Sequence, residues 1–101
     1  MIPAIKLDRL SDRFQQIEVE LASGAGGAGF VKLSKEHAEL APVIEAVNAY
    51  RDATKQLADT ETLIADPSSD SEMRSLAEEE RAELKERVAK LEHDLQIQLL
   101  P

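Results

Sequence analysis

Apolar residues recur along this chain at steps of three and four, the spacing that lines one side of an α-helix. The last third shows it without interruption: Met73, Leu76, Leu84, Val88, Leu91, Leu95 and Leu99, with Glu80 filling one gap. The remaining positions there are mostly Glu, Lys and Arg, a solvated face. Glu83 with Arg87, and Glu86 with Lys90, stand four apart with the acid first, the favourable order for helix pairs. Ser69 with Glu72 three residues on has the form of a capping box at the start of this helix. No Gly or Pro intervenes before Pro101.

Two earlier stretches carry the same period. Pro3 suits a helix start, where its missing amide costs nothing. Leu7, Leu10, Phe14, Ile17 and Leu21 follow as a heptad seam, and Ser23-Gly24 offers a stop. Phe30, Leu33, His37, Leu40, Ile44, Val47, Tyr50, Thr54, Leu57, Glu61 and Ile64 give a long middle helix. Pro42 lies inside it, removing one backbone bond and crowding the carbonyl four residues back, so a kink or short break is expected there. Asp66-Pro67-Ser68-Ser69-Asp70 is a turn.

The pattern thus predicts helices over residues 3–23, 28–65 and 70–99 in one all-α domain. Short connectors make neighbours antiparallel, an up-down-up three-helix bundle. At 1.5 Å per residue the helices are roughly 30, 55 and 45 Å long, so the second and third extend beyond the first as a coiled-coil-like hairpin. Phe14, Ile17, Phe30, Leu33, Leu91 and Leu95 are expected to converge near the Gly-rich connector. The far end, at Asp66–Asp70, is then the less stable one.

Composition narrows the chemistry. The 101 residues carry a net charge of −8, with 32% charged and only 3% aromatic residues, so aliphatic side chains fill whatever core forms. Bare phosphate backbone is disfavoured as the main partner, because affinity there comes from Lys and Arg. Without cysteine there is no disulfide frame and no thiolate. Nothing resembles a signal peptide or a ~20-residue apolar span, so a cytoplasmic protein with no membrane partner is expected.

Candidate sites are few. Gly24 to Gly29 matches the dinucleotide spacing G-x-G-x-x-G, but a helix rather than a strand enters it and no P-loop Lys-Ser/Thr follows; it reads as a connector. His37 and His93 lie in different helices, and His37 falls on the apolar stripe as a boundary residue. The Glu78-Glu79-Glu80 run reads as a solvated face. Ser11, Ser34 and Ser75 have no evident base to activate them. No catalytic, metal-binding or cofactor-binding residues emerge, and no small-molecule ligand is expected.

Three patches carry a resemblance: Leu33-Ser34-Lys35-Glu36-His37-Ala38-Glu39-Leu40 with Pro42-Val43; Asp66-Pro67 leading into Asp70-Ser71-Glu72-Met73-Arg74-Ser75-Leu76-Ala77; and Leu91-Glu92-His93-Asp94-Leu95 closing on Gln98-Leu99-Leu100-Pro101. In order and spacing they resemble the N-terminal domain of the bacterial peptide chain release factor 1 family, class I factors reading UAA and UAG. The resemblance implies an N-terminal fragment of a longer protein. The family's Gly-Gly-Gln hydrolysis loop and Pro-x-Thr codon-reading tripeptide have no counterpart here, since Pro42-Val43-Ile44 and Pro67-Ser68-Ser69 do not match the latter. It further implies a non-catalytic arm, with the ribosome at the large-subunit stalk base and the class II release factor as partners. Ile64, Asp66, Ser69, Asp70, Glu72 and Met73 are the expected contact residues, at the free tip of the hairpin. Two other readings compete. A tRNA-gripping hairpin wants a basic stripe, yet from Pro67 onward five Lys/Arg face nine Asp/Glu. A self-associating coiled coil wants an even seam, which Thr54, Glu61 and Glu80 interrupt.

Overall fold

A computed structural model describes residues 1–24 and 26–101. The described residues form three helices: α1 (Ala4–Ala22), α2 (Gly27–Ala65) and α3 (Ser71–Gln98). They make a rod of 62 × 27 × 19 Å. The pairs Arg13–Glu36 and Asp8–Arg51 show α1 and α2 running antiparallel, since partner numbers rise as α1 numbers fall. In the same way α3 returns along α2, with Ser69 beside Leu63 at one end and Leu95 beside Val47 towards the other.

Helix ends follow backbone chemistry. The Pro3 carbonyl accepts from the amides of Lys6 and Leu7 to open α1. Past its end Gly24 has φ +88°, the left-handed conformation that a residue lacking Cβ adopts without strain. Gly27, which starts α2, has φ +66° and the same requirement. The glycine run read as a connector is therefore partly helical, and Ala25 within it lies outside the described residues.

Pro42 does not break α2, which is continuous through it. The lost bond, worth on the order of 3 kcal/mol in a helix interior, is offset by what the following turns bury. Val43, Ala46 and Tyr50 pack against the core cluster of Ile2, Leu7, Val47 and Leu95, to which all three helices contribute. Leu99 closes over it.

This core sits half-way along α2, not at the Gly-rich end. Helix α3 is anchored at the opposite turn, and its 28 residues span roughly 42 Å against roughly 58 Å for the 39 of α2. It therefore ends before reaching the first turns of α2. Only α1 covers that region, leaving Phe30 47% and Val31 67% exposed, so the expected convergence of Phe14, Ile17, Phe30, Leu33, Leu91 and Leu95 does not occur. Ile17 is nonetheless fully buried on the α1 seam. The molecule is a three-helix middle with a two-helix hairpin at each end.

The seam of α3 is also rotated from the expected one near the turn. Ala77, not Leu76, is buried, followed by Leu84 and Leu95; Met73, Leu76 and Glu80 face outward. On α2 the buried partners in this hairpin are Ala53 and Thr60, and Glu61 is exposed. Ala53, Thr60 and Ala77 are small, and the distance between two packed helices follows the size of the side chains at their contact. The rotation also removes Glu61 and Glu80 from the interface, where unpaired carboxylates would have been costly.

Candidate partner-contact surface

The turn at residues 66–70 is held by its own polar groups. An Asp66 carboxylate oxygen accepts from the Ser68 amide at 2.9 Å and from the Ser68 hydroxyl at 2.8 Å. Those two donors, the amide foremost, hold the Asp66 carboxyl below the ordinary carboxylate range. The Ser69 hydroxyl donates to the Leu63 carbonyl at 2.8 Å, satisfying a group at the end of α2. The Arg74 guanidinium donates to the carbonyls of Ser69 at 3.1 Å and Asp66 at 3.3 Å, tying the first turn of α3 to the loop.

Asp70 is the N-cap of α3, its carboxylate accepting from the Met73 amide at 2.8 Å. The capping box expected of Ser69 and Glu72 is not formed, because the Ser69 hydroxyl already serves the end of α2. Both residue types cap well, and the tertiary bond to Leu63 decided between them. The expected pairs Glu83–Arg87 and Glu86–Lys90 are also unformed among the described residues; the pair at that spacing is Lys55–Asp59, at 3.6 Å.

The six expected contact residues thus differ in availability. Ser69 is buried, with 9% of its surface accessible, and Ile64 is half-buried. Asp66 and Asp70 are exposed, but both carboxylates already accept from backbone amides, Asp66 from Ser68 in the loop and Asp70 from Met73 in the first turn of α3. Glu72 and Met73 remain open to solvent, and Leu76 beside them is 60% exposed. Leu76 was missed because its size assigned it to the buried stripe. The signal that could have found it is Ala77 next to it, a small residue in phase with Leu84 and Leu95.

The other chemistry-bearing groups serve packing. His37 stacks on Phe14 with ring centroids 4.5 Å apart, and its Nε2 lies 3.5 Å from the Glu18 carboxylate. This is a boundary histidine bridging α1 and α2. The Arg13 guanidinium binds Glu36 through two nitrogens, at 2.6 and 2.8 Å, which holds the Glu36 carboxyl below its ordinary range. Burial, with the Glu92 charge second, pushes the Tyr50 phenol up. Among the described residues no three His, Asp or Glu side chains assemble as a metal site, and no helix is long and apolar enough to cross a membrane.

Comparison with known proteins follows the same span. The model of the PCRF domain matches residues 10–101. Peptide chain release factor 1 of Rhizobium rhizogenes is 42% identical over 100 residues, covering 99% of this chain and 28% of that protein. Peptide chain release factor 1 of Dinoroseobacter shibae is 43% identical over 101 residues, covering all of this chain and again 28% of that protein. The chain therefore spans little more than a quarter of the length of these relatives. No solved structure matches it. With its α2–α3 hairpin, its Asp66–Asp70 turn and all but the first nine residues inside the match, the chain belongs to the PCRF domain family.

Proposed function

We propose that this domain is the N-terminal arm of a class I peptide chain release factor, acting in translation termination at UAA and UAG codons in the cytoplasm. The observation that carries the reading is 42–43% identity along the whole chain to proteins named peptide chain release factor 1. The arm positions the factor and does no chemistry of its own. Hydrolysis and codon reading belong to the part of such proteins that this chain does not span. The partners of the arm are the stalk base and GTPase-associated region of the large ribosomal subunit, and the class II release factor. An elongated acidic rod supports protein contact at one end better than a grip on ribosomal RNA.

The test is a termination assay with a chimera, in which this chain replaces the matching segment of the Rhizobium rhizogenes relative. The chimera is expected to release peptide at UAA and UAG and to respond to the class II factor. The 101-residue chain alone is expected to release none. Stop-codon-dependent release by the pure chain would end the non-catalytic reading. A chimera carrying Asp70→Lys and Glu72→Lys that terminates and responds normally would remove the turn from the contact.

A further inference from the structure

Because the buried seam of α3 runs through Ala77 and Leu84, Met73 and Leu76 are turned outward. On a helix surface, the neighbours of a residue are those three and four positions away. For Leu76 these are Glu72, Met73, Glu79 and Glu80, all exposed, and Glu83 lies one turn further on. Among the described residues none of these four carboxylates takes part in an ion pair. An unpartnered apolar pair thus stands in water inside an arc of free acids, beside a turn whose own polar groups are satisfied.

We infer that this flank of α3, from Glu72 to Glu83, docks a basic amphipathic helix of a protein partner. Met73 and Leu76 take the partner's apolar stripe, and its Lys and Arg residues meet the carboxylates. The inference rests on the proposed arm role and names the chemistry of what the arm touches. The apolar pair is the surface to be covered, and the charge around it selects the cover. Phosphate backbone would be repelled by four carboxylates, so RNA does not fit. A second copy placed face to face would bring like charges together, which costs binding energy. The unbranched thioether of Met73 adapts its shape to a partner side chain. In such an arrangement the buried leucine holds the complex, while the rim charges set approach rate and salt dependence.

The experiment places p-benzoylphenylalanine at Leu76 in the 101-residue chain, irradiates it with purified large ribosomal subunits, and maps the adduct by mass spectrometry. The same probe at Val19, exposed on α1, is the control. The expected product is a cross-link from position 76 to a protein, within a peptide rich in Lys or Arg. Its yield should fall about tenfold with Glu79→Lys/Glu80→Lys, the loss expected when attraction at a docking rim turns to repulsion, and should fall with added salt. Circular dichroism checks that these exposed substitutions keep the helices. Cross-linking into RNA, cross-linking to a second copy, a yield unchanged by the double reversal, or no adduct above the Val19 control would each overturn the inference. The same reversal in the chimeric factor separates the two readings. If it abolishes the protein cross-link yet leaves release and the class II response unchanged, the docking surface stands and the arm role fails.

Discussion

The two ends of this rod are both two-helix hairpins, yet they are closed by different means. At the Gly-rich end, the last turn of α1 is finished by the Ser23 hydroxyl on the Glu20 carbonyl and by the Gly24 amide on the Leu21 carbonyl, bonds from the residues just past α1 back to its own last turn. At the Asp66–Asp70 end, Ser69, Asp70 and Arg74 bond across the loop to the end of α2 and the start of α3. The Gly-rich end leaves Val19, Phe30 and Val31 in solvent, buries Ile17, and is tied by the Arg13–Glu36 fork, the Phe14–His37 stack and the His37–Glu18 contact. The opposite end buries Ala53, Thr60 and Ala77 and leaves Met73 and Leu76 in solvent. Both have two helices, so helix number cannot rank them. Among the described residues, the loop groups at the Asp66–Asp70 turn serve the ends of both helices, α2 through Ser69 and α3 through Asp70. We expect the Asp66–Asp70 end to be the more stable one, against the order that periodicity predicts, so hydrogen exchange should be slower over 63–76 than over 19–33.

The largest effect expected from testing this contrast is at Ile17. Truncation to Ala empties a fully buried site under α1 and should cost about 2–5 kcal/mol in urea unfolding. Exchange should accelerate first at 10–24 and 27–40, leaving 60–84 nearly unchanged. Equal acceleration of both hairpins would mean that they open as one unit and that the contrast is false.

Next in size is the seam of the α2–α3 hairpin. Ala77→Leu forces bulk into a buried position on the α2–α3 seam and should destabilise by about 1–3 kcal/mol. Leu76→Ala, one residue away, should change stability by no more than about 0.5 kcal/mol, as exposed positions do. The reverse ranking would return Leu76 to the core.

Smaller still is the cap. Asp70→Ala should cost about 1 kcal/mol, the usual loss for an N-cap side chain, whereas Glu72→Ala should do little to stability because no capping box involves it. Comparing the two by thermal unfolding tells an Asp70 cap from a Ser69–Glu72 one.

The smallest effect is with pH. A carboxylate whose folded value lies below its unfolded one stabilises the fold at neutral pH and loses that contribution as pH falls through the lowered value. Asp66 is of this kind, through the Ser68 donors, and so is Glu36, through Arg13. Acidification through the carboxylate range should thus loosen both ends, seen in the amide signals of Ser68 and Ser69 at one and of the residues around Glu36 at the other. Asp66→Asn should remove the acid response of the turn alone. If Ser68 and Ser69 still titrate in that variant, another group closes the loop.

Three helices, their limits to within a residue or so, their antiparallel order and the turn at Asp66–Asp70 were legible in the residue pattern. These follow from local rules: a period between three and four, Gly and Pro punctuation, and connectors too short for any other path. At Pro42 the helical signal on both sides favours one kinked helix over two, and α2 is continuous through it. What the sequence could not fix was phase and level. Leu76 and Ala77 are adjacent, and a size-weighted stripe takes the leucine; the packed seam instead buries Ala77 in phase with Leu84 and Leu95, while α2 buries Ala53 and Thr60. Ser69 and Asp70 can each cap a helix, and only the position of the Leu63 carbonyl assigned Ser69 to the end of α2. The level of the core was likewise tertiary: α3 is pinned at the turn, so its shortfall appears at the Gly-rich end and the core lies at Val47 and Leu95. The candidate contact surface inherits the same division. Glu72 and Met73 were legible from their place beside the turn. Leu76 became part of the surface only because packing elsewhere needed a smaller residue on the seam.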